Sequence, residues 1–132
     1  MKIFVFTALI LAAGISNAST VYYCSDTTVA GFDPSANGQE IRSYKPGRFK
    51  LKVDWRESKM TSPDIYLRED SDCYSSSVIL TCVHTIFGVT LTLHGETLRY
   101  NRSNIFNMHH SLLETQDSMD DIYVATGSCE EF

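Results

Sequence analysis

The chain has 132 residues, of which 43% are hydrophobic and 20% are charged, and its formal net charge is −5 at pH 7. This length suits one domain with a core of its own, and the acidic balance argues against a dedicated nucleic-acid binder. Four cysteines in so short a chain point to covalent cross-links.

The first predicted element is an export leader over residues 1–18. A basic start, Met1-Lys2, precedes an apolar run over residues 3–13, and Ser16-Asn17-Ala18 places small residues at the two positions that a signal peptidase reads. The run is too short to span a bilayer, which needs roughly 20 residues. We therefore predict cleavage after Ala18, a periplasmic or secreted protein without membrane insertion, and a single β domain over residues 19–132 with a formal charge of −6.

Alternation of apolar and polar residues predicts β-strands along most of the remaining chain. The clearest segment covers residues 49–55, where every second residue is apolar. Further strands are predicted over residues 21–24, 65–67, 78–84 and 122–126. Residues 25–47 contain several glycines and prolines and are predicted as mostly turns around short extended pieces. Residues 111–114 match a capping box, which leaves a short helix or a loop open there.

A β-hairpin is predicted around Gly95-Glu96. Residues 87–93 and 98–100 alternate in one phase, and a glycine at the first central position suits a two-residue type II′ turn. Such a turn would pair His94 with Thr97, Leu93 with Leu98, and Leu91 with Tyr100. All paired apolar residues would then share one face of the sheet.

Seven to nine short strands, close turns and scarcely any helix predict an all-β fold, either an antiparallel small barrel or a sandwich. The four cysteines allow three pairings, and we expect Cys73 to bond with Cys82 and Cys24 with Cys129. A zinc site is the alternative, but the sequence holds no C-x-x-C or C-x-x-H pair. The second disulfide would bring the first and last strands together, which favours the barrel.

The candidates for enzymatic chemistry are the four histidines, His84, His94, His109 and His110. The pair His109-His110 follows Met108 and would need further ligands, such as Asp117, to hold copper or zinc. Because adjacent side chains diverge on a strand or a helix, we predict solvated loop histidines there, and neither a metal nor a cofactor. His84 is in phase with Leu80 and Cys82, which predicts a partly buried, hydrogen-bonded side chain.

Acidic residues gather near the C-terminus without the glycine and the ligand spacing of a calcium loop, which favours a solvated loop. They are Glu114, Asp117, Asp120, Asp121, Glu130 and Glu131. There is no G-x-S-x-G nucleophile motif. Asn101-Arg102-Ser103 is a glycosylation sequon, which has meaning only in a eukaryotic secretory route. None of these features singles out a catalytic site.

A basic stripe is the surface feature with a physical rationale for binding. Arg48, Lys50, Lys52 and Arg56 lie on the outward phase of the strand predicted over residues 49–55, and residues 45–59 carry a formal charge of +4. Such a stripe would attract an anionic partner, either an acidic protein surface or a surface polysaccharide. The alternative is that outward lysines keep an edge strand from pairing with other chains.

Several short motifs carry a resemblance to known proteins. The chain has a Tyr-x-Cys start at Tyr22-Tyr23-Cys24, then Ala30-Gly31-Phe32, Leu98-Arg99-Tyr100 and Ile122-Tyr123-Val124-Ala125, and a Gly-x-Cys-x-x-Phe end at Gly127-Ser128-Cys129-Glu130-Glu131-Phe132. In these motifs it resembles a set of small exported proteins of marine bacteria, which implies a compartment and no catalytic activity. The early Tyr-x-Cys and the late cysteine are also similar to those of the periplasmic C-type lysozyme inhibitors, which are small exported β-barrels. This chain lacks their Ser-Gly-x-x-Tyr inhibitory loop.

The sequence therefore predicts a monomeric, exported, non-enzymatic binding module. Its ligand would be an anionic partner, or a target protein that it inhibits. Two other classes stay open. One is a small hydrolase or metal-dependent enzyme that uses a histidine and a carboxylate. The other is a structural component of the cell envelope.

Overall fold

The computed structural model describes residues 19–32, 41–105 and 122–132. Within these ranges the chain forms nine β-strands and one turn of 3₁₀ helix, Pro63–Ile65. The strands are β1 (Thr20–Phe32), β2 (Ile41–Ser43), β3 (Arg48–Asp54), β4 (Lys59–Thr61), β5 (Asp72–Ser76), β6 (Ile79–His84), β7 (Val89–His94), β8 (Arg99–Asn104) and β9 (Ile122–Glu131). The predicted leader and the predicted helix or loop over residues 111–114 lie outside the described residues.

The strands form one antiparallel sheet in the order β4-β3-β1-β9-β8-β7-β6-β5, with β2 paired to the far end of β1. The sheet curls until it is nearly closed into a barrel, which confirms the predicted all-β class. Its two ends approach each other where the side-chain hydroxyls of Ser58 and Ser75 lie 2.8 Å apart, within hydrogen-bond distance. The first and last strands are neighbours, as the expected disulfide between them requires.

Every second side chain of β3, β6 and β7 points inward, and these side chains help to fill the interior of the barrel. In β3, Phe49, Leu51 and Val53 are buried while the residues between them face outward, which is the period-two pattern read from the sequence. β6 and β7 contribute buried residues in the same way. The interior is therefore packed with side chains, as expected for a barrel of this size.

Both expected disulfides are present. Cys24–Cys129 joins β1 to β9 and closes a loop of 105 residues in sequence separation, while Cys73–Cys82 joins β5 to β6 across a separation of nine. The structure holds no free cysteine among the residues it describes. Two disulfides indicate an oxidising, extracellular-type environment.

The register predicted for the hairpin of β7 and β8 is wrong by two residues. Leu93 pairs with Tyr100, and Leu91 pairs with Arg102 rather than with Tyr100. Because the error is two residues and not one, the same side chains still face the core, and Leu91, Leu93 and Tyr100 are all buried.

The cause of this shift lies in the turn, which is longer than two residues. Leu98 adopts a left-handed conformation with φ of 53°, and its N–H donates to the carbonyl of His94 at 2.8 Å. The N–H of Thr97 donates to Nδ1 of His94 at 3.3 Å. Leu98 therefore does not pair with Leu93. Its backbone carbonyl accepts the N–H of Cys129 in the last strand at 2.8 Å.

The strand predicted over residues 65–67 is also wrong. Pro63 opens a 3₁₀ turn, and Tyr66 ends it in a left-handed conformation with φ of 58°. Proline suits the first position of a helical turn because its missing N–H would be unpaired there in any case. The strand that returns alongside β3 is β4, which precedes residues 65–67 in the chain.

Residues 25–47 contain more strand than predicted, since β1 continues to Phe32 and β2 pairs with it. Gly31 was one of the residues from which turns were predicted in this segment. Gly31 makes no turn; it lies opposite Tyr123, where a Cβ atom would overlap the carbonyl oxygen of Ile122. A close approach of two strands, rather than a bend, explains this glycine.

Candidate functional site

The basic stripe is a real surface feature of β3. Arg48, Lys50 and Lys52 are all exposed, on the face opposite to the buried Phe49 and Leu51. The fourth predicted member, Arg56, is exposed but does not lie on the strand, which corrects its assignment to the outward phase. The strand ends at Asp54, whose carboxylate accepts the N–H of Arg56 at 3.1 Å and so holds it in the following turn.

The neighbouring strands complete this face. β1 lies beside β3 and presents Val21, Tyr23 and Ser25 opposite Lys52, Lys50 and Arg48 respectively. Beyond β1, the last strand presents Glu130 next to Tyr23 and Ser128 next to Ser25. We call this surface the β3–β1–β9 face, defined by Arg48, Lys50, Lys52, Val21, Tyr23, Ser25, Ser128 and Glu130.

An open cleft of about 530 Å³ lies on the β3–β1–β9 face, lined among others by Tyr23, Arg48, Lys50 and Glu130. Its volume falls within the range of ~300–1,000 Å³ that is usual for ligand clefts. At its wall, the carboxylate of Asp64 accepts the backbone N–H of Lys50 at 2.9 Å. The side chain of Lys50 is exposed.

The position of β3 weakens the alternative explanation of the stripe. β3 is hydrogen-bonded to β1 along most of its length and to β4 at Lys52–Asp54, so it is not an edge strand. On the side that β4 leaves uncovered, Asp64 occupies the N–H of Lys50. Protection of a bare edge therefore does not account for Lys52, which lies on the part of β3 that β4 covers.

Beneath this face lies a buried ion pair that the sequence reading missed. The side chain of Asp26 is fully buried, and both of its oxygens accept hydrogen bonds from Arg102, at 3.0 Å from Nε and 2.6 Å from Nη2. Asp26 also accepts the hydroxyl of Tyr100 at 2.7 Å and the N–H of Gly47 at 2.8 Å. Four donors therefore surround a single carboxylate, as a buried charge requires.

The guanidinium group of Arg102 is held between two aromatic rings. Its central carbon lies 5.4 Å from the ring centre of Phe49 and 4.9 Å from that of Tyr123. Its Nη1 donates to the hydroxyl of Tyr123. Arg102 thus bridges β8, β1 and β9 from inside the barrel. The inward phase of β8 continues from Tyr100 to Arg102, and this phase is the sequence signal that could have revealed the buried arginine.

Hydrogen bonding sets the protonation of this cluster. Burial by itself raises the pKa of the Asp26 carboxyl, but hydrogen bonds from Arg102, Tyr100 and Gly47 outweigh burial and hold that pKa below its ordinary value. Burial likewise lowers the pKa of Arg102, and its contacts with Asp26 and Tyr123 together outweigh that effect and raise it. The pKa of Tyr100 is raised far above its ordinary value by burial and by the carboxylate. The pair is therefore ionised at neutral pH.

Gly127 allows the cluster to form, because it lies opposite both Asp26 and Tyr100 in the sheet. A Cβ atom there would overlap the carbonyl of Ser25 and the hydroxyl of Tyr100. We expect Gly127→Ala to lower the free energy of unfolding by about 3 kcal/mol, because backbone has to move to make room. Urea unfolding measures the change.

Gly95→Ala is the matched control for this prediction. A Cβ atom at Gly95 would meet only the outer atoms of the Trp55 ring, the nearest at 2.9 Å, and that ring is partly exposed and can shift. We expect a cost below about 1 kcal/mol. Equal costs for the two substitutions would contradict the close approach at Gly127.

His84 is buried and hydrogen-bonded, as predicted. Its Nδ1 accepts the N–H of Phe87 at 3.3 Å, so its proton resides on Nε2, which lies 3.2 Å from a carboxylate oxygen of Asp70. The ring also stacks on Phe87. With both nitrogens engaged, His84 has no open lone pair with which to accept a substrate proton.

The remaining candidates for chemistry contribute less. His94 uses Nδ1 to support the β7–β8 turn, while His109, His110, Met108 and Asp117 lie outside the described residues. Glu130 and Glu131 are exposed on β9, and the other members of the acidic group also lie outside those residues. Within the described ranges, no three His, Cys, Asp or Glu side chains are grouped closely enough to hold a metal ion.

No family model, curated protein or solved structure matches this chain. The resemblance to small exported proteins of marine bacteria and to periplasmic lysozyme inhibitors therefore stays a prediction. Over the described ranges, no helix has the length and apolar character needed to cross a membrane.

Proposed function

We propose that this protein is a monomeric, exported, non-enzymatic binding module that holds an anionic partner on the β3–β1–β9 face. The observation that carries the proposal is the row of Arg48, Lys50 and Lys52, exposed side by side on an inner strand of an acidic protein. Three cations on one strand repel one another, so an anionic ligand that neutralises them gains free energy from all three. The two disulfides are consistent with release into the periplasm or the medium.

A hydrolytic or metal-dependent enzyme finds less support. Such an enzyme needs a histidine whose free nitrogen can reach a substrate or a metal. His84 is the histidine closest to a carboxylate in the described part of the chain, and its two nitrogens are already paired. A structural envelope component would instead self-associate, so a molecular mass that rises with concentration in size-exclusion chromatography would favour that class.

Charge reversal tests the proposal. We expect Arg48→Glu together with Lys50→Glu to weaken binding to carboxylate polymers, polygalacturonate and poly-L-glutamate, by at least about tenfold in low-salt buffer. Isothermal titration calorimetry measures the affinity. Because both residues are exposed, we expect the free energy of unfolding to change by less than about 0.5 kcal/mol.

A second variant of equal charge separates the site from net charge. Lys45→Glu with Arg68→Glu changes the total charge by the same amount at exposed positions that do not line the cleft. We expect it to bind the polymers almost as the unaltered protein does. The proposal fails if the unaltered protein binds neither polymer, or if the two double variants lose affinity equally.

A further inference from the structure

We infer that the anionic partner is an acidic polysaccharide, a linear chain of carboxylated sugar rings, with one ring packed against Tyr23. This inference rests on the proposed function and names the chemical class of its ligand. It is carried by the side chains that surround the cations, none of which the sequence reading had connected with the stripe.

Tyr23 gives the face an aromatic platform. Its side chain is 41% exposed and lies in the middle of a row between Lys50 and Glu130. Phe132 packs against it edge to face, with ring centres 5.3 Å apart. An exposed aromatic ring offers an apolar surface to the C–H face of a sugar ring, while its hydroxyl stays in water.

A cation lies over one face of this platform. The ammonium group of Lys50 lies 5.5 Å from the centre of the Tyr23 ring. A sugar ring seated on Tyr23 would bring a carboxylate substituent within reach of that ammonium. One carboxylated sugar unit thus fits both the ring and the charge, whereas a simple inorganic anion would use the charge alone.

The hydrogen-bonding groups of the cleft also favour a sugar over an acidic peptide. Ser25 and Ser128 offer hydroxyls that donate and accept, and Glu130 offers acceptors only. Sugar hydroxyls can donate to Glu130. The carboxylates of an acidic peptide would be repelled by it, so a mixed lining of this kind discriminates against a dense polyanion without donors.

The spacing of the cations indicates a linear polymer. Arg48, Lys50 and Lys52 are two residues apart along one strand, which separates successive side chains by roughly 7 Å in a line. A ligand that runs along β3 would meet the three cations one after another. Binding along such a line adds up over repeated units of the ligand.

The test compares two polymers of equal carboxylate concentration, polygalacturonate with sugar rings and poly-L-glutamate without them. We expect residues 19–132, the protein left after the predicted cleavage, to bind polygalacturonate about tenfold more tightly than poly-L-glutamate in isothermal titration calorimetry. We expect Tyr23→Ala to lower the affinity for polygalacturonate about tenfold and to leave that for poly-L-glutamate unchanged. Tyr74→Ala, at an exposed tyrosine of β5 that does not line the cleft, serves as the control and should change neither affinity.

A second variant guards against a folding defect. Tyr23→Leu keeps apolar bulk beside Phe132 but has no ring, and we expect the same tenfold loss for polygalacturonate. Equal binding of both polymers, or no effect of either Tyr23 variant, would overturn the polysaccharide inference while leaving the proposed anion-binding function in place. Absence of binding to both polymers would overturn the two together.

Discussion

Replacing Cys24 and Cys129 together with alanine is expected to lower the free energy of unfolding by about 4.8 kcal/mol. In the chain-entropy model, a disulfide stabilises by restricting the unfolded chain, and its contribution grows with the logarithm of the loop it closes. The Cys24–Cys129 bond closes a separation of 105 residues. A domain of this size has a total stability of only about 5–15 kcal/mol, so the loss consumes much of it.

The second disulfide provides the matched comparison. Cys73–Cys82 closes a separation of nine residues, for which the same model gives about 2.6 kcal/mol. We therefore expect Cys73→Ala with Cys82→Ala to cost about 2 kcal/mol less than the first double variant. Unfolding in guanidinium chloride, followed by circular dichroism, measures both. A larger cost for the short loop would show that the two bonds do not act mainly through the entropy of the unfolded chain.

The sequence predicted the fold class because the decisive signals are local. Alternation over residues 49–55 reports a strand with one buried face whatever its neighbours are. The pairing of Cys24 with Cys129 then placed the first and last strands together. Register was not predictable in the same way, because a shift of two residues keeps Leu93 and Tyr100 on the buried face and so leaves the pattern unchanged.

Only those parts of the candidate site that depend on local patterns could be predicted from the sequence. The exposed cations of β3 were predicted, since alternation within one strand decides which side chains face outward. Tyr23 and Ser128 could not be connected with them, because their proximity depends on the pairing of β1 with β3 and β9. That pairing joins segments far apart in the chain, and no local pattern records it.

The Asp26–Arg102 pair was missed for a different reason. The register of β1 against β9 shifts between Asp26 and Thr28, and such an irregularity breaks the alternation from which burial is read. Asp26 also fell within a segment whose glycines suggested turns. Its partner, Arg102, lies 76 residues later in the chain. A charge pair of this separation becomes visible only when the barrel is assembled.

Replacing Arg102 with methionine is expected to destabilise the protein by about 3–5 kcal/mol at pH 7. Methionine fills much of the space between Phe49 and Tyr123, but it leaves the buried carboxylate of Asp26 without its opposite charge, and an uncompensated buried charge costs this much. Arg99→Met is the matched control, since Arg99 is on the same strand and faces outward. We expect it to change the free energy of unfolding by less than about 0.5 kcal/mol.

The pH dependence of this loss identifies the carboxylate as its source. In the unaltered protein the pKa of Asp26 is held below its ordinary value of about 3.9, so its stabilisation is complete above that pH and disappears as the pH falls through the lowered pKa. Without Arg102, burial dominates and raises the pKa of Asp26, so the contribution of Asp26 to the pH dependence of stability changes sign. The variant therefore gains stability relative to the unaltered protein as the carboxyl takes up a proton. Urea unfolding between pH 3 and pH 7 should therefore show the difference between the two proteins shrinking toward acid. A difference that stays constant over this range would mean that lost packing, and not the charge of Asp26, accounts for the effect of the substitution.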